Sequence, residues 1–329
     1  MIKRKELFAI LLAGCCLQSC IKDADFISQI DYNTISYKVA DNFNLSLFNA
    51  ALNRSSNDKK LLESGPFTVL APSNMAFQNF GYASTTAVRT ENQARMSKIA
   101  TYHILEGKFE LDKLPYLFNQ QIESRGGKLF VTRWIKGPDT IITINGSKVI
   151  LNNISASNGL IHVIDKVLEP YQFDDIKDAI ASENSITLFS HALQKTGLTS
   201  LLQKNGSYTV FAPSNAAMAS IGMNTIHDVD NADPKVLSDL IYYHIVGDRK
   251  FVYDYILTAG PSNSSKQTML NGHSVNIKLL GTSEDPEGMF SKITIMGPGN
   301  TVPIEIGKAD LLSGNGVLHI VNGVFKITR

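Results

Sequence analysis

The chain has 329 residues, of which 43% are hydrophobic and 19% charged, a composition typical of a folded globular protein and too apolar for a disordered one. Its length predicts about two domains, at roughly 150 residues for each. Lysine and arginine number 31 against 30 aspartates and glutamates, and no basic stripe stands out, so we expect no nucleic-acid partner.

The first twenty residues predict a targeting segment. A basic start at residues 3–5 precedes an apolar run at residues 7–14, which is too short for a bilayer span of roughly 20 residues. The three cysteines all lie here, at Cys15, Cys16 and Cys20. The rest of the chain can therefore hold no disulfide, thiolate metal site or cysteine nucleophile. We expect residues 1–20 to act as a lipoprotein signal peptide and residues 21–35 as a tether.

The small residues before cysteine resemble the lipobox of bacterial lipoproteins, whose cysteine is lipidated and becomes the new N-terminus. Two frames fit: residues 12–15 match better by residue type and end at Cys15, whereas residues 17–20 follow a longer apolar run and end at Cys20. We favour Cys20, because Ile-Lys-Asp-Ala-Asp at residues 21–25 resembles the signal that directs some Gram-negative lipoproteins to the outer face of the outer membrane. The implied location is the bacterial outer membrane, surface-exposed and lipid-anchored, with a periplasm-facing position or simple secretion as alternatives.

An internal repeat organises the rest of the chain. The sequence FTVLAPSN at residues 67–74 recurs as YTVFAPSN at residues 208–215, an offset of 141. The sequence NGLIHV at residues 158–163 recurs as NGVLHI at residues 315–320, an offset of 157, so the second copy carries 16 extra residues. We place these in polar loops such as residues 281–288, because loops tolerate changes in length. The period is too long for a solenoid and predicts tandem domains at residues 36–170 and 171–329.

Within each copy, helical signals come first and strand signals follow. Apolar residues at positions 47, 48, 51 and 52 have helical spacing. Residues 67–70 and 208–211 predict short strands, after which Ser73 and Ser214 can each cap a helix. Asparagine–glycine pairs at residues 158–159 and 315–316 predict turns into apolar strands. The segregation of helices and strands predicts an α+β fold. The acidic residues 228–233 predict a solvated loop before a helix that begins at Pro234, because helix N-termini attract acids.

Three sequence boxes together resemble the fasciclin domain: the TV(L/F)APSN box, the pairs Tyr102-His103 and Tyr243-His244, and the closing Asn-Gly strand. All three occur in both copies, in the same order. The resemblance implies two tandem domains, each a two-sheet β-wedge with a layer of helices, used for extracellular adhesion or binding without established enzymatic activity. The second copy departs from the first at Asn322, which replaces Asp165, so the two domains need not bind the same partner.

Four histidines occupy equivalent positions in the two copies, His103 with His244 and His162 with His319. Two of them could in principle meet as metal ligands, but no HxH or HExxH spacing accompanies them, so we predict no metal and no cofactor. Apolar strand neighbours of His162 and His319 favour hydrogen-bonded core residues. The family resemblance implies the same structural role for Tyr102 and Tyr243 with their histidines. Asp165 could be a general acid, but we favour a carboxylate that accepts backbone N–H bonds.

Trp134, the only tryptophan, is the candidate for ligand contact. It precedes a Gly-Pro turn, where an indole could stack on a sugar, although packing against the sheet is the commoner role of tryptophan. No GxSxG sequence or phosphate-binding loop is present, and we predict that the protein is not an enzyme. We expect an adhesion or binding protein that recognises a protein or glycan at the cell envelope. The alternatives are an accessory subunit of an outer-membrane glycan-uptake system and a hydrolase with an unrecognised site.

Overall fold

The structure is a computed structural model that describes residues 30–203, 206–281 and 290–328. The two candidate lipidation sites, Cys15 and Cys20, and nearly all of the predicted loop at residues 281–288 lie outside the described residues. Both sequence repeats lie in one compact unit that begins at Asn33. No helix in the described ranges combines the length and apolarity that crossing a bilayer requires.

The first domain follows the predicted order, with most helices before most strands. Its helices are α1 (Ile35–Ala40), α2 (Ser46–Ser55), α3 (Asn57–Lys60), α4 (Asn74–Asn79), α5 (Thr85–Thr90) and α6 (Gln93–Tyr102). Short 3-10 turns cover Phe43–Leu45 and Leu111–Lys113. Its strands are β1 (Phe67–Pro72), β2 (Ile104–Glu106), β3 (Gln120–Ser124), β4 (Gly127–Lys136), β5 (Asp139–Ile144), β6 (Ser147–Ala156) and β7 (Gly159–Ile164).

The strands of the first domain pair in the order β2-β1-β7-β6-β5-β4-β3. The β1–β7 pair is parallel and fully buried on both strands, whereas the neighbouring pairs are antiparallel. Strand β6 bends through two register shifts and pairs with β5 at one end and β7 along the rest. This bend turns the sheet into a wedge. One apolar core lies between the helices and the sheet, and a second lies inside the wedge.

The second domain repeats this plan. Its helices are α7 (Ile176–Ser182), α8 (Thr187–Lys195), α9 (Asn215–Ala219), α10 (Ile226–Asn231), α11 (Pro234–Tyr242) and α12 (Val252–Thr258), with 3-10 turns at Asn184–Ile186 and Leu198–Gln203. Its strands are β8 (Tyr208–Pro213), β9 (Ile245–Val246), β10 (Ser264–Thr268), β11 (Ser274–Leu280), β12 (Lys292–Met296), β13 (Ile304–Ser313) and β14 (Gly316–Val321). The strand order β10-β11-β12-β13-β14-β8-β9 is the same as in the first domain, written from the opposite edge of the sheet. It confirms the predicted tandem α+β architecture.

The TV(L/F)APSN boxes join a buried strand to a helix. The hydroxyl of Ser73 accepts a hydrogen bond from the backbone N–H of Ala76 (3.1 Å), and Ser214 caps α9 in the same way. The next residue fastens a second helix, because the side-chain oxygen of Asn74 accepts the backbone N–H of Leu47 in α2 (3.0 Å). Each box therefore anchors the helical layer to the sheet.

Two local expectations are wrong. The acidic segment before Pro234 is helical rather than an open loop, because Asp228 and Thr225 form a reciprocal capping box that starts α10. The extra residues of the second copy are not confined to loops either. Helix α12 occupies the position where the first domain has only the 3-10 turn Leu111–Lys113. Helix α12 packs on β12 of its own domain and on β4 of the first domain.

Candidate binding surface

The tyrosines of the two Tyr-His pairs lie inside the wedges. The Tyr102 hydroxyl donates to the carbonyl oxygen of Lys128 (2.6 Å) and accepts from the side-chain amide of Asn145 (2.9 Å). The Tyr243 hydroxyl donates to the carbonyl oxygen of Ser274 (3.0 Å). Burial raises the pKa of both phenols, so they stay neutral and join the end of helix α6 or α11 to the adjoining sheet.

His103 and His244 use both ring nitrogens on the backbone. The Nδ1 of His103 lies 2.8 Å from the carbonyl oxygen of Ile99, and its Nε2 accepts the N–H of Leu168 (3.0 Å). His244 makes the equivalent contacts with Leu240 (2.7 Å) and Phe325 (3.0 Å). Burial lowers the pKa of both histidines to about 4. The neutral ring is therefore fixed with Nδ1 as donor and Nε2 as acceptor.

The strand histidines are bonded in the opposite sense. The Nε2 of His162 lies 2.9 Å from the carbonyl oxygen of Phe109, and its Nδ1 accepts the N–H of Asn153 (3.2 Å). His319 does the same with Lys250 and Asp310. Burial lowers the pKa of both rings. Each of the four repeat histidines thus has both nitrogens engaged by backbone, which leaves none of them with a free base or metal ligand.

Asp165 lies at the end of β7. Its Oδ1 accepts the hydroxyl of Ser147 (2.8 Å) and the backbone N–H of Lys148 (2.7 Å), so the carboxylate holds the start of β6 against the chain that leaves β7. The equivalent Asn322 is exposed, and its backbone N–H donates to the carbonyl oxygen of Glu305 in β13 (3.0 Å). Across the described ranges, no group of three or more histidine, cysteine or acidic side chains is placed to hold a metal ion.

The junction between the two domains contains a buried carboxylate, Asp254, that the sequence did not predict. Asp254, in the first turn of α12, is fully buried and accepts the hydroxyl of Thr132 (3.0 Å) and the side-chain amide of Asn119 (3.1 Å) from the first domain. It also accepts the N–H of Phe251 at its own helix start (2.9 Å). Burial raises the pKa of this carboxyl to about 6, against the opposing effect of its three donors.

Both ends of α12 are linked to the first domain, the C-terminal end directly and the N-terminal end through Asp310 of β13. At its C-terminal end, the Lys136 ammonium donates to the carbonyl oxygen of Ala259 (2.6 Å), where the helix dipole favours a cation. At its N-terminal end, Asp310 accepts the N–H of Val252 (2.8 Å) and pairs with Lys166 from the chain that leaves the first domain (3.2 Å). Helix α12 therefore works as a clamp between the domains.

Arg249 also contacts both domains at this junction. Its guanidinium, only 4% exposed, donates to the carbonyl oxygens of Ser313, Gly314 and Gly316 at 2.8–3.3 Å, within the turn between β13 and β14. It also lies 3.7 Å from the centre of the Phe130 ring of the first domain, a cation–π contact. Phe130 packs with Phe251 and Val317 in a small apolar cluster that spans both domains. These buried contacts join the domains into one block.

Trp134 lies on β4 between Thr132 and Lys136, and alternation along the strand puts all three side chains on the face that meets α12. Its ring is half-buried and lies 4.6 Å from that of Phe118. A separate groove of about 1400 Å³ runs between the domains, lined among others by Arg95, Lys98 and Tyr171. The junction thus offers to an outside molecule a half-buried aromatic pair and a groove lined by both charged and apolar side chains.

Comparison with known proteins places these features in a family. A profile described as the fasciclin domain matches residues 43–170 and 184–327. The chain is similar to transforming growth factor-beta-induced protein ig-h3 of Sus scrofa, with 27% identity over 258 residues, 78% of this chain and 34% of that protein. It is also similar to protein sll1483 of Synechocystis, with 33% identity over 138 residues, 42% of this chain and 73% of that protein.

Among solved structures, the chain is similar to a FAS1 domain pair from the insect cell adhesion molecule fasciclin I, with a TM-score of 0.39 and 18% identity over 85% of this chain and 95% of that one. The chain spans about a third of the length of the animal ig-h3 relatives that it matches.

Proposed function

The chain belongs to the fasciclin-domain family, and from this premise we propose that it is a binding protein of the cell envelope that captures a protein or glycan and performs no chemistry on it. Fasciclin domains occur in adhesion and binding proteins, but a fold supports a function only by association. The groove between the domains is the observation that carries this proposal further. It combines cations, acids, two aromatic rings and aliphatic side chains along a surface built by both domains, a composition that suits an extended ligand with polar and apolar parts.

The backbone hydrogen bonds of the four histidines at equivalent positions of the two repeats support binding rather than hydrolysis. A hydrolase built on His103, His162, His244 or His319 would need a ring nitrogen free to accept a proton from a nucleophile. In each of these rings, both nitrogens are hydrogen-bonded to backbone groups. The rigid junction favours binding for a different reason, since a preorganised surface loses less conformational entropy when a partner docks.

Crosslinking on intact cells followed by identification of the captured partner tests this function. We expect Lys98→Glu, which reverses a charge in the groove, to reduce capture, and Lys278→Glu, an exposed residue of β11 outside the groove, to leave it unchanged. Both variants should melt at the wild-type temperature. Equal capture by wild type and Lys98→Glu would assign the partner to another surface.

We further propose that the protein is anchored through a lipid on Cys20, at the outer membrane and facing the cell exterior. The basic start, short apolar run and lipobox-like residues support this location. Labelling cells with radioactive palmitate tests it: Cys20→Ala should abolish the label, and Cys15→Ala should retain it. The reverse pattern would assign the lipid to Cys15. An unlabelled wild-type protein would contradict the lipid anchor. Protease treatment of intact cells then distinguishes an outward-facing from a periplasm-facing protein.

An accessory role in glycan uptake is the second candidate, supported by the Trp134–Phe118 pair, because aromatic faces bind sugars by stacking. Trp134→Ala should reduce glycan binding without changing the melting temperature, whereas Trp134→Phe should preserve part of the binding. A fall in melting temperature with unchanged glycan binding would make Trp134 a packing residue of the junction. Co-purification of a transporter from solubilised outer membrane would favour the uptake role.

A further inference from the structure

Two large apolar side chains are exposed on backbone segments of the first domain that a hydrogen bond joins. Phe43 is 86% exposed and Met75 is 63% exposed. The side-chain amide of Asn74 donates to the carbonyl oxygen of Phe43 (2.9 Å), while its oxygen accepts the N–H of Leu47 (3.0 Å). This staple fixes the 3-10 turn that carries Phe43 beside the start of α4, which carries Met75.

The second domain shows that the fold does not need apolar residues at these positions. Asn215 makes the same staple, with its amide donating to the carbonyl oxygen of Asn184 (3.2 Å) and its oxygen accepting the N–H of Leu188 (3.0 Å). At the offset of 141, Asn184 replaces Phe43 and Ala216 replaces Met75. The backbone geometry is therefore shared, and the apolar pair belongs to the first domain alone. An exposed apolar pair that the fold does not require indicates a contact outside the fold.

The position of the pair points to a lipid surface. Helix α1, six residues and about 9 Å long, separates the start of the compact unit at Asn33 from the turn that carries Phe43. The 13 residues from Cys20 to Asn33 can reach at most about 45 Å when fully extended. An anchor at Cys20 would thus hold this end of the first domain near the bilayer, whereas the second domain, which lacks the pair, follows later in the chain.

We propose that Phe43 and Met75 form a membrane-contacting tip that inserts into the bilayer interface and orients the anchored domain pair. This inference rests on the proposed lipid anchor. Residues 41–46 and 73–79 contain no lysine or arginine, so we expect the contact to depend on apolar insertion and to need no anionic lipid. The groove between the domains would then be held in a fixed attitude to the membrane instead of rotating freely on its tether.

Tryptophan fluorescence tests the tip directly. The full lipoprotein is reconstituted in phosphatidylcholine vesicles with Trp134→Phe, which removes the native fluorophore, and with Phe43→Trp as the reporter. Because interfacial side chains enter about 5–10 Å into the headgroup and acyl boundary, brominated phosphatidylcholine should reduce the reporter's emission about two-fold. The matched control is Asn184→Trp, at the equivalent exposed position of the second domain, whose emission should not change.

Three other outcomes, all on protein that stays with the vesicles, overturn the tip. Absent quenching of the Phe43→Trp reporter on protein that stays with the vesicles would show that the pair does not meet lipid. Equal quenching of both reporters would show a molecule lying flat without a preferred end. A blue shift without quenching that grows with protein density would assign the pair to a second copy of the chain. Loss of protein from the vesicles is a separate result, because it contradicts the lipid anchor; coupling Cys20 to a maleimide lipid then tests the tip alone.

Discussion

Acidification should destabilise the protein through the two helix-end histidines. The pKa of His103 and of His244 is about 4 in the folded chain and 6.5 in the unfolded one, so the stabilisation is complete above pH 6.5 and is lost as the pH falls toward 4. At 1.36 kcal/mol for each pKa unit, lowering the pH from 7 to 5 removes about 2 kcal/mol for each ring, or about 4 kcal/mol for both.

Urea unfolding at pH 5, 6 and 7, followed by Trp134 emission, measures this loss. The variant His244→Gln should be less stable at pH 7, because it loses bonds to Leu240 and Phe325, but its further loss on going to pH 5 should be smaller than that of wild type by about 2 kcal/mol. His273→Gln, which removes an exposed histidine, is the matched control and should follow the wild-type pH profile. An unchanged pH dependence in His244→Gln would refute a neutral, backbone-bonded ring.

The junction and the sheet give further predictions. The folded pKa of Asp254, about 6, exceeds its unfolded value of 3.8, so its contribution to stability is complete below pH 3.8 and is lost as the pH rises through 6. Wild type should therefore gain about 1 kcal/mol relative to Asp254→Asn between pH 7 and pH 5 in urea titrations, and parallel profiles would exclude Asp254 as the titrating group. Arg249→Met leaves the carbonyl oxygens of the β13–β14 turn short of a donor and should cost about 3 kcal/mol by the same assay; a change below about 1 kcal/mol would mean that water replaces the guanidinium. Gly159→Ala would put a Cβ 1.8 Å from the carbonyl oxygen of Phe67 and should cost at least about 3 kcal/mol, which lowers the melting temperature by roughly 6–12 degrees or more, or prevents folding. Gly260→Ala, whose Cβ meets nothing closer than 3.8 Å, is its control and should melt within a few degrees of wild type.

The sequence repeat predicted the internal architecture well, because residues at equivalent positions make equivalent contacts. The helix caps at Ser73 and Ser214 are confirmed, and so is the tandem fold. The asparagine–glycine pairs, however, do more than turn the chain. Asn158 accepts the N–H of Ile35 at the start of α1 and donates to the carbonyl oxygens of Leu61 and Glu63. Such contacts join distant segments and leave no trace in local spacing.

The junction escaped prediction for a related reason. Asn119 and Asp254 are 135 residues apart, and nothing in either neighbourhood identifies the partner. One signal was present: the first domain has Lys108 and Lys113 where the second has Arg249 and Asp254. A departure from the repeat marks a position with a different role. The sequence alone, however, does not tell whether a charged residue at that position is exposed at the surface or buried at an interface.

The contacts of Asn158 also decide how the chain would carry tension if it is held by the proposed lipid on Cys20. The backbone N–H of Ser157 donates to the carbonyl oxygen of Asn33, and Asn158 holds the start of α1, so a pull on the tether enters the sheet at the turn between β6 and β7. Strand β7 leads straight into the chain that reaches the second domain. A load between the membrane and a partner on the second domain would therefore run along one buried strand, in shear against β1, and bypass the helical layer of the first domain.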